Sequence, residues 1–316
     1  MNIINLINNY IVERYNYSND IAKTYFINNF VSHIYIINLK NDLIRRNYIN
    51  ILMKKYNINY ELIIVDKITN FNIINNNNTF RTAGEMGCYL SHMYCLNDAK
   101  INNYNNIIIF EDDIIFHKQF LKLFENTILC NNDANILLLG ASDYNFKNNN
   151  CKLINTYTNT YIPHINTSFL YGTYSIYYTF TGINDMFSYK LKYPSHFDDK
   201  LIYLAKNNNL KICYPNLVST NICASNLGHI SKINSKNEKQ YYNLCFNNTF
   251  IFNCYNFIYL DLLSNNNINI DLTISFNENI NNILITNEYA HIYKLRIVLD
   301  FFNSNDLSYI LTNVKI

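Results

Sequence analysis

The chain contains no tryptophan, only six glycines, and no two cysteines in a CxxC arrangement. Charged residues make up 15% of its 316 positions and the formal net charge is +2. That near balance leaves no basic stripe able to neutralise a row of phosphates, so a nucleic-acid partner is not expected. The eight cysteines (Cys88, Cys95, Cys130, Cys151, Cys213, Cys223, Cys245, Cys254) follow no regular framework. Their spacing signals neither a zinc site nor a disulfide scaffold, and reduced thiols are expected. The N-terminus lacks a basic head followed by an apolar run and a small-residue cleavage site. No uninterrupted apolar stretch approaches the roughly 18 residues of a membrane span, so a cytoplasmic protein without an integral membrane segment is expected. No repeat of fixed period is evident, which sets solenoids aside.

What is present in quantity is hydrophobic residues, at 49%, and asparagine, at roughly a fifth of all positions. Asparagine, isoleucine, tyrosine and lysine together are the set an AT-rich coding sequence favours, so the Asn runs are read as polar loops between packed segments. The 29 tyrosines could stack on a base or sugar face, but most are expected in the core. The length suffices for one large α/β domain, with or without a smaller appendage.

Three parts are expected along the chain. Residues 1–32 show loosely helical spacing of Ile4, Ile7 and Ile11, then Ile21 and Tyr25, and are read as an N-terminal helical extension. Residues 33–239 carry alternating strand and helix signals. His33 to Leu39 predicts a strand, Asp42 to Tyr56 a helix, and Tyr60 to Asp66 a second strand, an order that implies parallel pairing. Gly84 to Ala99 predicts a helix burying Tyr89, Met93, Leu96 and Ala99. Ile107 to Phe110 is the unbroken apolar run of a strand inside a parallel sheet. Further strands are expected within 133–140 and 172–177, with a helix near 183–189. Residues 240–316 alternate Ile and Asn in places and form a C-terminal extension of unreadable role, β-rich by pattern.

Acids placed directly after a buried strand point towards the ligand crevice of an open α/β sheet, and Glu111, Asp112 and Asp113 meet that condition. Alternate residues of an extended chain share a face, so Glu111 and Asp113 are expected to converge while Asp112 points elsewhere. Two hard oxygen donors suit Mn²⁺ or Mg²⁺ completed by diphosphate oxygens and water. A solvated acidic turn is the plainer alternative.

The surroundings of these acids resemble glycosyltransferase family 25, the group of lipopolysaccharide and procollagen galactosyltransferases. Tyr35 to Lys40 with Arg45 and Arg46 is similar to that family's opening strand and NL-x5-R motif. Gly84-Glu85-Met86-Gly87-Cys88-Tyr89-Leu90-Ser91-His92 resembles its GEhGChhSH box, in which h is apolar or aromatic, and Ile107 to Asp113 its hhhhEDD segment. Gly172-Thr173-Tyr174, Asp198-Asp199, Tyr214-Pro215 and Ser225 are looser likenesses. The resemblance implies a GT-A-like, mostly parallel sheet flanked by helices. It also implies transfer of galactose or glucose from a UDP-sugar to a hydroxyl on a glycan or protein. The alternative is a catalytically degenerate nucleotide-sugar-binding or structural relative.

Site expectations follow from both lines. Glu111, Asp113 and His229 are candidate metal ligands. Asn38, Leu39, Arg45, Asp66, Gly84, Glu85, Gly87, Ser91, His92 and Asp112 are candidates for holding the nucleotide sugar. Arg45 could pair with diphosphate or hold a carboxylate. Asn38 could bond a base or ribose, or cap the following helix. Asp66 could reach ribose hydroxyls or be an ordinary loop aspartate. His92 could line the donor pocket or pack within its helix. Asp198 or Asp199 is the candidate base for an inverting transfer, a helix N-cap being the other reading. The missing leader departs from the secreted collagen-modifying relatives and fits a cytoplasmic bacterial-type enzyme or a protein of a large AT-rich virus acting in its host cell.

Overall fold

The computed structural model describes residues 10–18, 25–69, 71, 80, 82–117, 119–141, 151–155, 160–163, 172–188, 197–206, 210–213, 216–220, 259–263 and 294–298. The chain divides into two compact units: residues 1–220 with 226–229, and residues 221–225 with 230–316. In the second unit the described strands Tyr259–Leu263 and Lys294–Val298 pair antiparallel.

The first unit is an α/β fold. Its strands are β1 (Ile11–Tyr17), β2 (His33–Leu39), β3 (Tyr60–Val65), β4 (Asn106–Glu111), β5 (Ile114–Phe116), β6 (Ile136–Leu138), β7 (Cys151–Asn155), β8 (Thr160–Pro163), β9 (Ser175–Thr179), β10 (Leu210–Cys213) and β11 (Val218–Thr220). Its helices are α1 (Phe26–Phe30), α2 (Leu43–Lys55), α3 (Ala83–Ile101), α4 (Phe120–Cys130), α5 (Phe180–Ser188) and α6 (Phe197–Lys206). Nine strands form one mixed sheet in the order β1-β3-β2-β4-β9-β6-β10-β8-β7. Parallel pairing joins β2 to β3, β2 to β4 and β6 to β10, while β9 runs antiparallel between β4 and β6. The short strands β5 and β11 pair separately.

Side chains alternate across the sheet with the period of two that a pleated strand dictates. Tyr35, Ile63, Ile107, Ile109, Leu138 and Tyr178 pack on one face under α3, α5 and α6. Ile36, Leu62, Ile64, Ile108, Phe110 and Leu137 pack on the other under α1, α2 and α4. Because both faces are covered, β4 is buried from Asn106 to Phe110 and reads as an unbroken apolar run. On α3, Tyr89, Met93, Leu96 and Ala99 are all buried, as their helical spacing requires.

Among the described residues of the N-terminal stretch, expected to be helical, 11–17 form a strand and Phe26–Phe30 forms the short α1. β1 pairs antiparallel with β3, and Val12 to Asn16 are exposed. Hydrogen bonding to an edge, not an apolar stripe, defines this strand, whereas Ile4 and Ile7 of the expected helix lie outside the described residues. Arg14 fastens it by donating Nε to Glu61 Oε1 at 2.5 Å and Nη1 to Asp98 Oδ1 at 2.7 Å. No helix among the described residues is long and apolar enough to cross a membrane.

Candidate functional site

The carboxyl ends of the parallel strands β2, β3 and β4 open on one edge of the sheet, where an α/β fold gathers ligand-binding groups. Asp42 caps α2 by accepting a hydrogen bond from the Arg45 backbone N–H at 3.3 Å. The cap aims the Arg45 guanidinium at the turn after β4, where Nη1 meets Asp112 Oδ1 at 2.8 Å and Nη2 meets Asp113 Oδ2 at 3.2 Å. Asn38, at the end of β2, donates Nδ2 to the second oxygen of Asp112 at 2.6 Å and accepts Arg46 Nε on Oδ1 at 2.8 Å. Burial disfavours the Arg45 cation, but Asp113 and Asp112 outweigh it and its pKa rises. Burial also lifts Asp112 to about 6, against the pull of Arg45 and with help from Asp113.

Glu111 takes different partners. Its Oε1 accepts Thr173 Oγ1 at 2.9 Å and lies 3.3 Å from His92 Nε2 and 3.9 Å from Cys88 Sγ. Burial pushes this carboxyl up, yet the contacts with His92 and Thr173 win and hold it below the usual carboxylate range. The expected convergence of Glu111 with Asp113 is therefore corrected. The strand ends at Glu111 and residues 112 and 113 form a turn, so strand alternation stops one residue too early to align them. Asp112, expected to point away, instead shares Arg45 with Asp113.

Cys88 and His92 stand one turn apart on α3, which begins behind the N-cap Thr82, whose Oγ1 accepts Glu85 N at 3.1 Å. Gly84, Glu85 and Gly87 lie in its first turns, with Glu85 buried. Ser91 donates to the Gly87 carbonyl at 2.7 Å. A Cβ on Gly87 would lie 2.7 Å from the hydroxyl of Tyr10, so this glycine makes room for an incoming aromatic side chain. Tyr10 also hydrogen-bonds Ser91, and burial raises its phenol pKa. Sequence reasoning missed Tyr10, and no local pattern marks it.

Asp198 and Asp199 occupy the first turn of α6, where carboxylates favour the helix dipole. His92 and Phe197 pack with ring centroids 4.6 Å apart, and this contact ties α6 to α3. Asp198 is driven up to about 8, first by burial and then by the charges of Glu111, Asp199 and Glu85. Its Oδ1 is buried without a hydrogen-bond partner among the described residues. Around Glu111 the structure thus gathers Cys88, His92, Thr173 and Asp198, of which Cys88 and Thr173 were given no site role in the sequence reading. The signal for Cys88 was present as a Cys-x3-His pair at helical spacing, whose third partner lies on another element.

Leu39 and Asp66 line a separate cavity of about 100 Å³ with Lys40, Asn41, Asp42 and Lys67, outside the ends of β2 and β3. Asp66 is exposed and accepts the Lys67 N–H at 3.0 Å. His229, Tyr214, Pro215 and Ser225 lie outside the described residues.

The sequence profile of "Glycosyltransferase family 25 (LPS biosynthesis protein)" matches residues 31–211. The chain belongs to glycosyltransferase family 25. The family match runs from β2 into the start of β10, and takes in every described residue of the site except Tyr10. A Haemophilus influenzae protein provisionally named a glycosyltransferase is 33% identical to this family 25 member over 125 residues. That stretch covers 37% of this chain and 44% of the relative.

Proposed function

We propose that this family 25 member is an active, GT-A-like hexosyltransferase that moves galactose or glucose from a UDP-sugar to a hydroxyl on a glycan or protein, with inversion. The observation that carries the reading is Asp198, whose buried Oδ1 has no hydrogen-bond partner among the described residues and whose carboxyl feels the charge of Glu111, together with the Asn38–Asp112–Arg45–Asp113 network at the strand ends. A base works best when its pKa lies near the operating pH, and about 8 for Asp198 meets that condition. Its carboxylate takes the proton of the acceptor hydroxyl as that oxygen bonds to the anomeric carbon. The bond to UDP breaks on the opposite face, and UDP leaves with the electron pair.

The acids fit a divalent cation such as Mn²⁺ or Mg²⁺, because Glu111, Glu85 and Asp199 all press Asp198 upwards and a cation relieves that repulsion. Glu111 would hold the ion, with diphosphate oxygens and water completing its shell. Asp112 is the poorest candidate, since Asn38 and Arg45 already engage both its oxygens. When bound, the ion offsets the charge developing on the departing diphosphate. Asp112 and Asn38 serve to fix Arg45 at the strand ends. Leu39, Lys40, Asp66 and Lys67 supply the neighbouring cavity, with two ammonium groups suited to phosphate and a carboxylate suited to ribose hydroxyls.

UDP release from UDP-galactose and UDP-glucose, with Mn²⁺ and a panel of hydroxyl acceptors, tests the proposal. Turnover by the parent chain is expected, with a loss of about 10²- to 10⁴-fold in Asp198→Asn at unchanged donor binding. Donor binding without turnover on any acceptor would overturn it in favour of a degenerate, binding-only relative.

A further inference from the structure

The cluster around Glu111 mixes soft and hard donors, so beside the hard cation proposed above it also suits a softer ion. Among the described residues, the group of His, Cys, Asp and Glu side chains placed to hold a metal ion is Cys88, His92 and Glu111, with ligand atoms all within 4.8 Å of one another. A tetrahedral zinc ion, with bonds of about 2.0–2.2 Å to nitrogen and oxygen and about 2.3 Å to sulfur, sets nitrogen about 3.4 Å from oxygen and sulfur about 3.6 Å from either. The observed separations are 3.3 Å from His92 Nε2 to Glu111 Oε1 and 3.9 Å from Cys88 Sγ to Glu111 Oε1.

We propose that Cys88 Sγ, His92 Nε2 and Glu111 Oε1 form a three-ligand binding site for a thiophilic divalent cation of the Zn²⁺ class, its fourth position left to water, and that this ion competes with a hard cation for Glu111. Cys88 and His92 are four residues apart on α3, so the helix presents both from one face. Thr173 donates to Glu111 Oε1 and fixes that carboxylate, as partners of metal ligands commonly do. Asp198 adds a further carboxylate to the surroundings. Its Oδ1 is buried without a partner among the described residues, and it interacts electrostatically with both Glu111 and Cys88. His92, fully buried, likewise leaves Nδ1 without a hydrogen bond among the described residues. Cys88 and Glu111 are partly exposed, which leaves an entry path from solvent. The thiol is held well above its usual pKa by burial and by the neighbouring carboxylates, the same negative surroundings that favour a cation. No CxxC spacing marks this set, because two ligands sit on a helix and the third at a strand end.

Cobalt(II) titration of the full chain provides the test, since a cysteine thiolate bound to Co²⁺ gives a charge-transfer absorption that carboxylate and imidazole ligands do not. The expected result is a band in the parent and in Cys130→Ser, which removes an exposed thiol elsewhere. The band should vanish in Cys88→Ser, and Zn²⁺ should displace it in the parent. Thr173→Ala should weaken Co²⁺ binding about 10- to 100-fold. In the unaltered chain, Zn²⁺ should slow alkylation of Cys88 and leave Cys130 unaffected, located by mass spectrometry, so the result does not depend on any variant folding. No band in the parent, a band surviving in Cys88→Ser, or unchanged alkylation of Cys88 would overturn the proposal. These readouts register the ion whether or not sugar is transferred.

Discussion

The guanidinium of Arg45 spans Asp112 at 2.8 Å and Asp113 at 3.2 Å, so one cation on α2 holds two consecutive acids of the turn after β4. Removing it takes the cation from two buried acids. Arg45→Ala is expected to cost about 3–5 kcal/mol of stability in chemical denaturation, the range for breaking a buried pair from one side. Arg45→Lys should recover only part of this, because an ammonium lacks the fork that reaches both carboxylates. A loss under about 1 kcal/mol for Arg45→Ala would refute the buried pairing.

Asp198 makes stability depend on pH. Its folded pKa, about 8, lies above the ordinary carboxylate value, so between the two the unfolded chain has lost a proton that the folded chain keeps. Its contribution is fully present below the unfolded pKa and is lost as pH rises through about 8, with a slope of at most about 1.4 kcal/mol per pH unit. Asp198→Asn should therefore gain on the parent steadily across that window when unfolding is followed at several pH values. A constant difference between the two proteins would contradict the assignment.

Lys200 has the opposite sign. It is buried, donates to the Met186 carbonyl at 3.0 Å, and burial lowers its pKa to about 8. Between about 8 and the ordinary lysine value near 10.4 the unfolded chain binds the extra proton, so stability should rise with pH there. Lys200→Met should flatten that rise in the same experiment.

Gly87 and Tyr10 should behave as a coupled pair. Gly87→Ala places a methyl group 2.7 Å from the Tyr10 hydroxyl, and Tyr10→Phe removes that oxygen. The two losses should be less than additive, with a coupling of about 0.5–3 kcal/mol in a double-mutant cycle of denaturation free energies. Strict additivity would place Tyr10 away from α3.

Much of the sheet was readable because its signals are local. The unbroken run Ile107 to Phe110 announced β4, and the spacing of Tyr89, Met93, Leu96 and Ala99 announced the buried face of α3. β1 was not readable, since an edge strand held by backbone pairing and by Arg14 shows no apolar alternation. The acids after β4 were found as a group, but their division was not. One turn sends Asp112 and Asp113 to Arg45 and leaves Glu111 with His92 and Thr173, partners contributed by other elements. Tyr10 and Cys88 depend in the same way on contacts between distant segments, which no single window of sequence contains.

The reversed course of β9 has a further effect. Because it lies antiparallel to β4, its beginning, not its end, adjoins the rim where Glu111 sits, and Glu111 N bonds to the Tyr174 carbonyl at 2.9 Å. Residues 172–174, just upstream, thereby frame one wall of the crevice with a strand's entry instead of its exit. Exchanging the segment that leads into β9 could then retune what the crevice admits while the hydrogen-bond ladder behind it stays unchanged.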